Sequence, residues 1–427
     1  PSNQWPESQH FMEEAPVSRI LLSHHHEDHS GNAAYAADGY ARRRGAGIVC
    51  TTYGVGELSA LNGVMGAMAE RGPVFHLVGT PSVRIVRQGL ICHHTLGDTR
   101  YDRFEAISAA AGCVSARLTP ENVVVELERV IDKALEDSRP AYLTVPMDLA
   151  LMPITGTPIQ GTPMGAVDQH ASVAVELEAV LDLVMGRLAE AARPLVMPTV
   201  TLKRFGLVET FAAFLEASGL SYATTPMDKS LLSEGHPAFL GMYNGSRSTP
   251  AALQGVVEDA DLLIDLGGLV MEDLNTGLWS GHLDASRVIS LHADWVQAGD
   301  QVFTSVSISE VLAGLIKRFQ ATGSRPSHWG EQRPVQPEPL LPLSGDGDQP
   351  TGSACFYSRL QRFLRPTDLL VTDTGTCLLK LNAMRLPDGV AIESQTLWGS
   401  IGWATPAALG CALADSERRV VLVTGDG

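Results

Sequence analysis

Short apolar runs alternate with longer segments of mixed polarity along most of the chain, a pattern that predicts strands alternating with helices in an α/β arrangement around parallel sheets. The spacing predicts a helix over 32–44, opened by Asn32 and closed by Gly45. A buried strand over 47–51, a small-residue helix over 57–70 and a strand over 74–78 follow. Thr119-Pro120-Glu121 predicts a helix start with proline at its first position, running to about residue 135, and 141–145 closes this unit as a strand.

Residues 151–172 are rich in Pro, Gly and Thr with little periodicity and read as a linker. A second α/β unit spans 173–320, with strands at 194–197, 262–266 and 288–291 between helices 175–190 and 308–319. A second linker covers 321–350. The third unit, 351–427, reads as strand 368–372, helix about 402–414 and strand 420–424. One helix covers one face of a parallel sheet, so this unit is expected to be incomplete and the chain truncated. The expected fold is therefore α/β, with three doubly wound parallel-sheet domains, the third incomplete.

Composition narrows the classes. With 427 residues, 44% hydrophobic and 19% charged, the chain suits a globular protein of two or three domains. Thirty-one Lys and Arg against 48 Asp and Glu give a net charge of −17, which argues against a nucleic-acid or anionic-membrane binder. No apolar run approaches the roughly 18 residues that span a membrane, and the first residues do not form a signal peptide. Six scattered cysteines without a C-x-x-C pair predict reduced thiols in a cytoplasmic protein.

Five segments carry candidate chemistry. Gly425-Asp426-Gly427 follows the apolar strand 420–424, where Asp426 reads either as part of a tight turn or as a hard oxygen ligand for Mg²⁺ beside a diphosphate. Asp373-Thr374-Gly375-Thr376 follows another strand and offers hydroxyls at the same sheet edge, and Trp398-Gly399-Ser400-Ile401-Gly402-Trp403 is a glycine-flanked loop feeding a helix. His93-His94 reads as a surface loop or as a paired proton shuttle. After the strand 19–23, His24-x-His26-x-Asp28-His29 resembles the zinc motif of metallo-β-lactamase-type hydrolases, so the N-terminal segment 1–31 stands apart.

From Asn32 onward, the third-unit segments, the 32–42 and 51–60 segments and Thr225-Pro226-Met227 in the middle unit together resemble the thiamine-diphosphate-dependent 2-oxo-acid decarboxylases of the pyruvate and indolepyruvate branch. The resemblance implies a pyrimidine-binding domain at 32–150, a central domain at 173–320 and part of a diphosphate-binding domain at 351–427. It implies thiamine diphosphate and Mg²⁺ as cofactors and a small 2-oxo acid as substrate. Thr374, Thr376, Gly399, Ser400, Ile401, Gly425, Asp426 and Gly427 would contact the cofactor, Ile401 holding it bent and Asp426 binding the metal. His93 and His94 would act in decarboxylation, at a site shared between subunits of a homodimer or homotetramer.

The sequence departs from that pattern at three points. The family's activating glutamate falls at Ser30, with Glu27 three residues out of register, and Asp228 stands where a glycine is usual. The asparagine pair and second glutamate that follow the metal motif in the family are not found in this chain. Impaired or absent turnover is the expectation. The rivals are a zinc hydrolase built on His24, His26, Asp28 and His29, and a non-catalytic assembly partner.

Overall fold

A computed structural model describes residues 21–22, 30–153, 172–322, 329 and 352–425. The first unit is built on five parallel strands, β1 (Leu21–Leu22), β2 (Gly47–Thr52), β3 (Val74–Thr80), β4 (Val114–Arg117) and β5 (Ala141–Pro146), in the order β1-β2-β3-β5-β4. Helices α1 (Ser30–Arg44) and α2 (Val55–Ala69) cover one face through Ala34, Ala37, Ala60 and Val64. Helix α3 (Val123–Glu136) covers the other through Val130 and Ala134. Two starts differ from expectation. Helix α1 begins at Ser30 rather than Asn32. Helix α3 begins four residues after Thr119, because the Asn122 side chain accepts from Thr119 N (2.7 Å) and donates to Arg117 O (3.0 Å), folding 119–122 into a turn.

The second unit holds seven strands: β6 (Pro194–Pro198), β7 (Tyr222–Thr224), β8 (Phe239–Met242), β9 (Leu262–Leu266), β10 (Val288–Leu291), β11 (Val296–Ala298) and β12 (Gln301–Phe303). Their order is β12-β11-β10-β9-β6-β7-β8. The sheet is mixed rather than wholly parallel, since β10, β11 and β12 form an antiparallel edge turning through Gly299 at φ 59°. Helices α4 (Ala174–Glu190), α5 (Val208–Ser218) and α6 (Ile308–Thr322) pack Val184, Phe214 and Leu315 into the largest core.

The third unit is a parallel sheet in the order β14 (Ala391–Ser394), β13 (Leu369–Thr372), β15 (Val420–Val423), with helices α7 (Ser353–Phe363), α8 (Thr376–Asn382) and α9 (Ala404–Ala414). The expectation of one bare face does not hold. Leu360, Leu370, Leu381 and Ile392 fill one side, and Leu369, Val371, Trp403 and Ala407 fill the other. Helix α9 also docks on α1. A Cβ added to Gly39 would lie 2.3 Å from Ala407 O, and one on Gly410 would lie 1.9 Å from Ala36 O, so the two backbones nearly touch.

Candidate cofactor-binding site

Parallel strands deliver their following loops to one edge of a sheet, and in the third unit these loops are 373–376, 395–403 and 424–425. Asp373 is buried and ties two of them together: Oδ1 accepts from Ala404 N (2.8 Å) and Oδ2 from Thr424 Oγ1 (2.6 Å). Buried Gln395 ties the third. Its carbonyl accepts from Thr374 Oγ1 (2.6 Å) and Gly399 N (3.1 Å), and its Oε1 accepts from Ser400 N (3.2 Å). Gly399 needs its lack of a side chain for φ +67°. Thr376 is exposed at the first residue of α8, and Ile401 is 73% exposed. Gly425 is exposed just past β15, whereas Asp426 and Gly427 lie outside the described residues.

This edge rests on α2. Asn62 donates to Ser400 Oγ (3.2 Å) and Tyr35 Oη (2.6 Å) and accepts from Trp398 Nε1 (2.9 Å). About 10 Å back along α2, at 1.5 Å per residue, its N-terminal turn seats the histidines. A Cβ on Gly54 (φ +65°) would lie 1.8 Å from His94 O. Glu57 locks that turn by accepting from Gly54 N (2.5 Å) and Tyr142 Oη; burial raises its pKa although both donors oppose the rise. The exposed His93 and half-buried His94 meet edge-on at 4.4 Å, each near the Tyr53 ring. Ser30 is buried with its Oγ 3.7 Å from the position of a Cβ on Gly56. Ser30, Gly54–Gly56 and His94 therefore gather at one end of α2, and the hydroxyl loops lie two turns away.

The donor set at the third-sheet edge is hydroxyls and backbone amides, and its carboxylate, Asp373, is already engaged. Cβ atoms added at Gly375, Gly402 or Gly425 would meet open space. An open, hydroxyl-lined edge of this kind fits a diphosphate. His24, His26, Asp28 and His29, with Glu27, lie outside the described residues, and among the described residues no cluster of three or more His, Cys, Asp or Glu is placed to hold a metal.

Sequence reasoning missed Asp373 and Gln395 as the ties between loops, and Asn62 as their support. It also missed a buried ionic cluster where the three units meet. Arg42 pairs with Asp38 (3.0 Å) and Glu70 (2.8 Å), and Arg204 of the second unit donates to Glu70 O (3.0 Å). Glu393 of the third unit stands 3.8 Å from both arginines. The i, i+4 spacing of Asp38 and Arg42 was the one legible signal.

Fold and site define a three-domain α/β protein with a diphosphate-type cradle on its third sheet. Residues 7–103 match the N-terminal TPP binding domain of thiamine pyrophosphate enzymes, 181–318 the central domain and 373–427 the C-terminal TPP binding domain. The first match includes the His24–His29 segment. An alpha-keto-acid decarboxylase of Mycolicibacterium paratuberculosis is 36% identical over 401 residues, covering 93% of this chain and 68% of that relative. Pyruvate decarboxylases of Aspergillus fumigatus and Kluyveromyces lactis are 33% and 34% identical, covering 93% of this chain and 69% and 70% of their own lengths. The chain belongs to the thiamine-pyrophosphate-dependent 2-oxo-acid decarboxylase family.

Proposed function

We propose that the chain decarboxylates a small 2-oxo acid of the pyruvate or indolepyruvate type to an aldehyde, using thiamine diphosphate and Mg²⁺, and that Ser30 leaves this turnover slow. The observation that carries the reading is the single edge at which Thr374, Gly399, Ser400 and Gly425 assemble within a chain matching all three domains of the family. Thiamine diphosphate, when bound, supplies the electron sink for the bond to the departing carbon dioxide. Thr376, the Ser400 hydroxyl and the amides of Gly425–Gly427 would hold the diphosphate, Thr374 and Gly399 would shape the cradle through their bonds to the Gln395 carbonyl, Asp426 would bind the metal and Ile401 would support the ring system. His93 and His94 orient the substrate carboxylate by hydrogen bonding and charge, and deliver the proton that replaces it on carbon.

Exposed apolar side chains flank both halves of the site. Ile91 is 69% exposed, Leu96 66% and Ile401 73%, a surface that a second copy would cover in a homodimer or homotetramer. The six free thiols suit a reducing, cytoplasmic setting.

Aldehyde release from pyruvate, phenylpyruvate and indolepyruvate, measured with both cofactors supplied, tests the reading. Slow turnover that disappears on Ser400→Trp or His94→Ala is the expected result. Turnover at ordinary enzyme rates of about 10 per second would sink the claim about Ser30, and unaltered rates in both variants would sink the site.

A further inference from the structure

Where the second unit meets the third, residues 229–250 and 382–385 enclose a cavity of about 180 Å³. Hydrogen bonds close the seam around it, from Leu386 N to Glu234 (2.9 Å), Ser233 to Asp388 (2.7 Å) and Ile392 N to Ser230 (3.0 Å). Three charged side chains line the wall. Lys229 and Glu234 pair with each other and are 3% and 5% exposed. Arg385 makes no ion pair among the described residues. Among the residues that line the wall, Arg385 is the cation without a carboxylate partner and suits one anion, although Asp388, held by Ser233, stands at the seam beside Gly235.

A second, independent feature points to the rest of the ligand. Asn382 lines the same cavity, is 4% exposed, and its Oδ1 has no hydrogen-bond partner. A buried acceptor without a donor carries a standing desolvation cost that a ligand hydroxyl would remove. His236 accepts at Nδ1 from Ala238 N (3.2 Å), so its neutral ring carries the proton on Nε2 and is a further donor for an anion. Apart from Thr249 the remaining wall is apolar, with Phe239, Leu240, Met242 and Met384 among its side chains. Asn382, the last residue of α8, and Arg385, three residues beyond it, line the same cavity.

We propose that this cavity binds a small 2-hydroxy monocarboxylate with a short apolar side chain. The carboxylate meets Arg385 and Lys229, the hydroxyl donates to Asn382 Oδ1, and the side chain lies against Phe239 and Met384. The site is separate from the loops at the third-sheet edge and does not depend on the reading given for them.

Calorimetric titration of the full chain with 2-hydroxy-4-methylpentanoate, against 4-methylpentanoate lacking the hydroxyl, tests the assignment. One equivalent of the hydroxy acid is expected to bind at least tenfold more tightly than its deoxy counterpart. Asn382→Leu should erase that preference while keeping carboxylate binding, and Arg385→Gln should weaken both ligands at least tenfold. The half-exposed Arg385 makes this variant the safer one to fold. The ligand should raise the melting temperature of wild type and not that of Arg385→Gln. His93→Ala should bind as wild type does. The proposal is overturned by absence of saturable binding, by variants that bind unchanged, by loss of binding in His93→Ala, or by inorganic phosphate binding as tightly as the hydroxy acid.

Discussion

At Ser30 the first helix opens with a buried hydroxyl, in contact range of the glycine turn that seats His94. A serine at that point holds no charge and exchanges no proton near neutral pH, so it lacks the equilibrium a carboxylate would bring. Positioned acid–base groups contribute roughly 10²–10⁴-fold. Ser30→Glu is expected to raise aldehyde formation by about that factor, and Ser30→Gln, of equal size, to leave it at the wild-type rate. Parallel progress curves decide the matter, and equal rates for all three proteins would exonerate Ser30. Asp228 poses the opposite problem, a carboxyl with too little support. It is fully buried, Oδ2 accepts from Thr225, Oδ1 has no partner, and burial pushes its pKa up to about 7. An unfolded aspartate titrates near 3.9. Between those values the folded chain holds a proton that the unfolded chain has released, so this group's contribution to stability falls as pH rises from about 4 to about 7. Asp228→Asn cannot titrate. Its stability relative to wild type should climb over that window by up to about 4 kcal/mol, an upper bound at 1.36 kcal/mol per pKa unit, and then level off. His76, held near 4 by burial, titrates alike in both proteins and cancels, whereas Asp265, pushed up to about 7 by burial and repelling Asp228, titrates more easily once Asp228 is neutralised and adds to the difference in the same direction. Urea unfolding of both at several pH values gives the difference, and a flat difference would contradict the buried-carboxyl account.

Among the helices, one chemical change should have opposite signs at two glycines. Gly186 sits in α4 with nothing within 4 Å of an added Cβ, so Gly186→Ala should stabilise by about 0.5–1 kcal/mol through helix propensity. Gly39 has the same intrinsic preference, but its Cβ would press on Ala407 O at 2.3 Å and force α1 and α9 apart. Overpacking of that kind costs about 1–3 kcal/mol, so Gly39→Ala should destabilise on balance. Paired denaturation curves check both signs. The same scale separates what could be read from sequence and what could not. Strands β6, β9 and β10 were legible because each is mostly apolar, with one polar residue at most (Asp265 in β9, Ser290 in β10), and the hydroxyl loops because Gly and Thr cluster after strands β13 and β15. Strand β14 was not, because it is short and carries Glu393 at a buried position, which breaks the apolar signature. The β11–β12 hairpin escaped for a related reason: each strand has three residues, and most of β12 faces solvent. Asp373 and Gln395 read as ordinary loop polar residues, since their partners emerge only when three strands lie side by side.

The whole molecule is joined by a contact of which only the Asp38–Arg42 pair shows a local pattern, because its members come from positions 38, 42, 70, 204 and 393. Arg42 is at the centre. It reaches Asp38, Glu70, Glu393 and Ser394 O, and lies 4.6 Å from the centre of the Trp403 ring. Arg204 brings in the second unit, and Glu70 reaches the third by accepting from Leu397 N (2.9 Å). Burial alone would raise the Glu393 pKa, but Lys203, Arg204, Arg42 and Arg43 outweigh it and hold the carboxyl below its ordinary value. Burial likewise opposes charge on Arg42, and Asp38, Glu70 and Glu393 outweigh it. At Glu70 and Arg204 burial still wins, raising the one pKa and lowering the other, so these two charges depend most on their partners. Arg42→Met keeps much of the side-chain volume and strands Asp38 and Glu70 in a dry interior, where breaking a buried pair costs about 3–5 kcal/mol. Asp38→Asn in the same chain removes one of the stranded charges, so the double variant should recover part of the loss, a coupling that independent sites would not give. The pairs are shielded from solvent ions, so raising salt to about 1 M should not mimic the substitution, although it would weaken surface pairs. Because the cluster is where three separate cores meet, its loss should also uncouple them. Tryptophan fluorescence and circular dichroism are expected to coincide in the wild-type urea transition if the cluster couples the units, and to separate in Arg42→Met. Coincident curves with an unchanged midpoint would mean that the α1–α9 packing holds the units together without the charges.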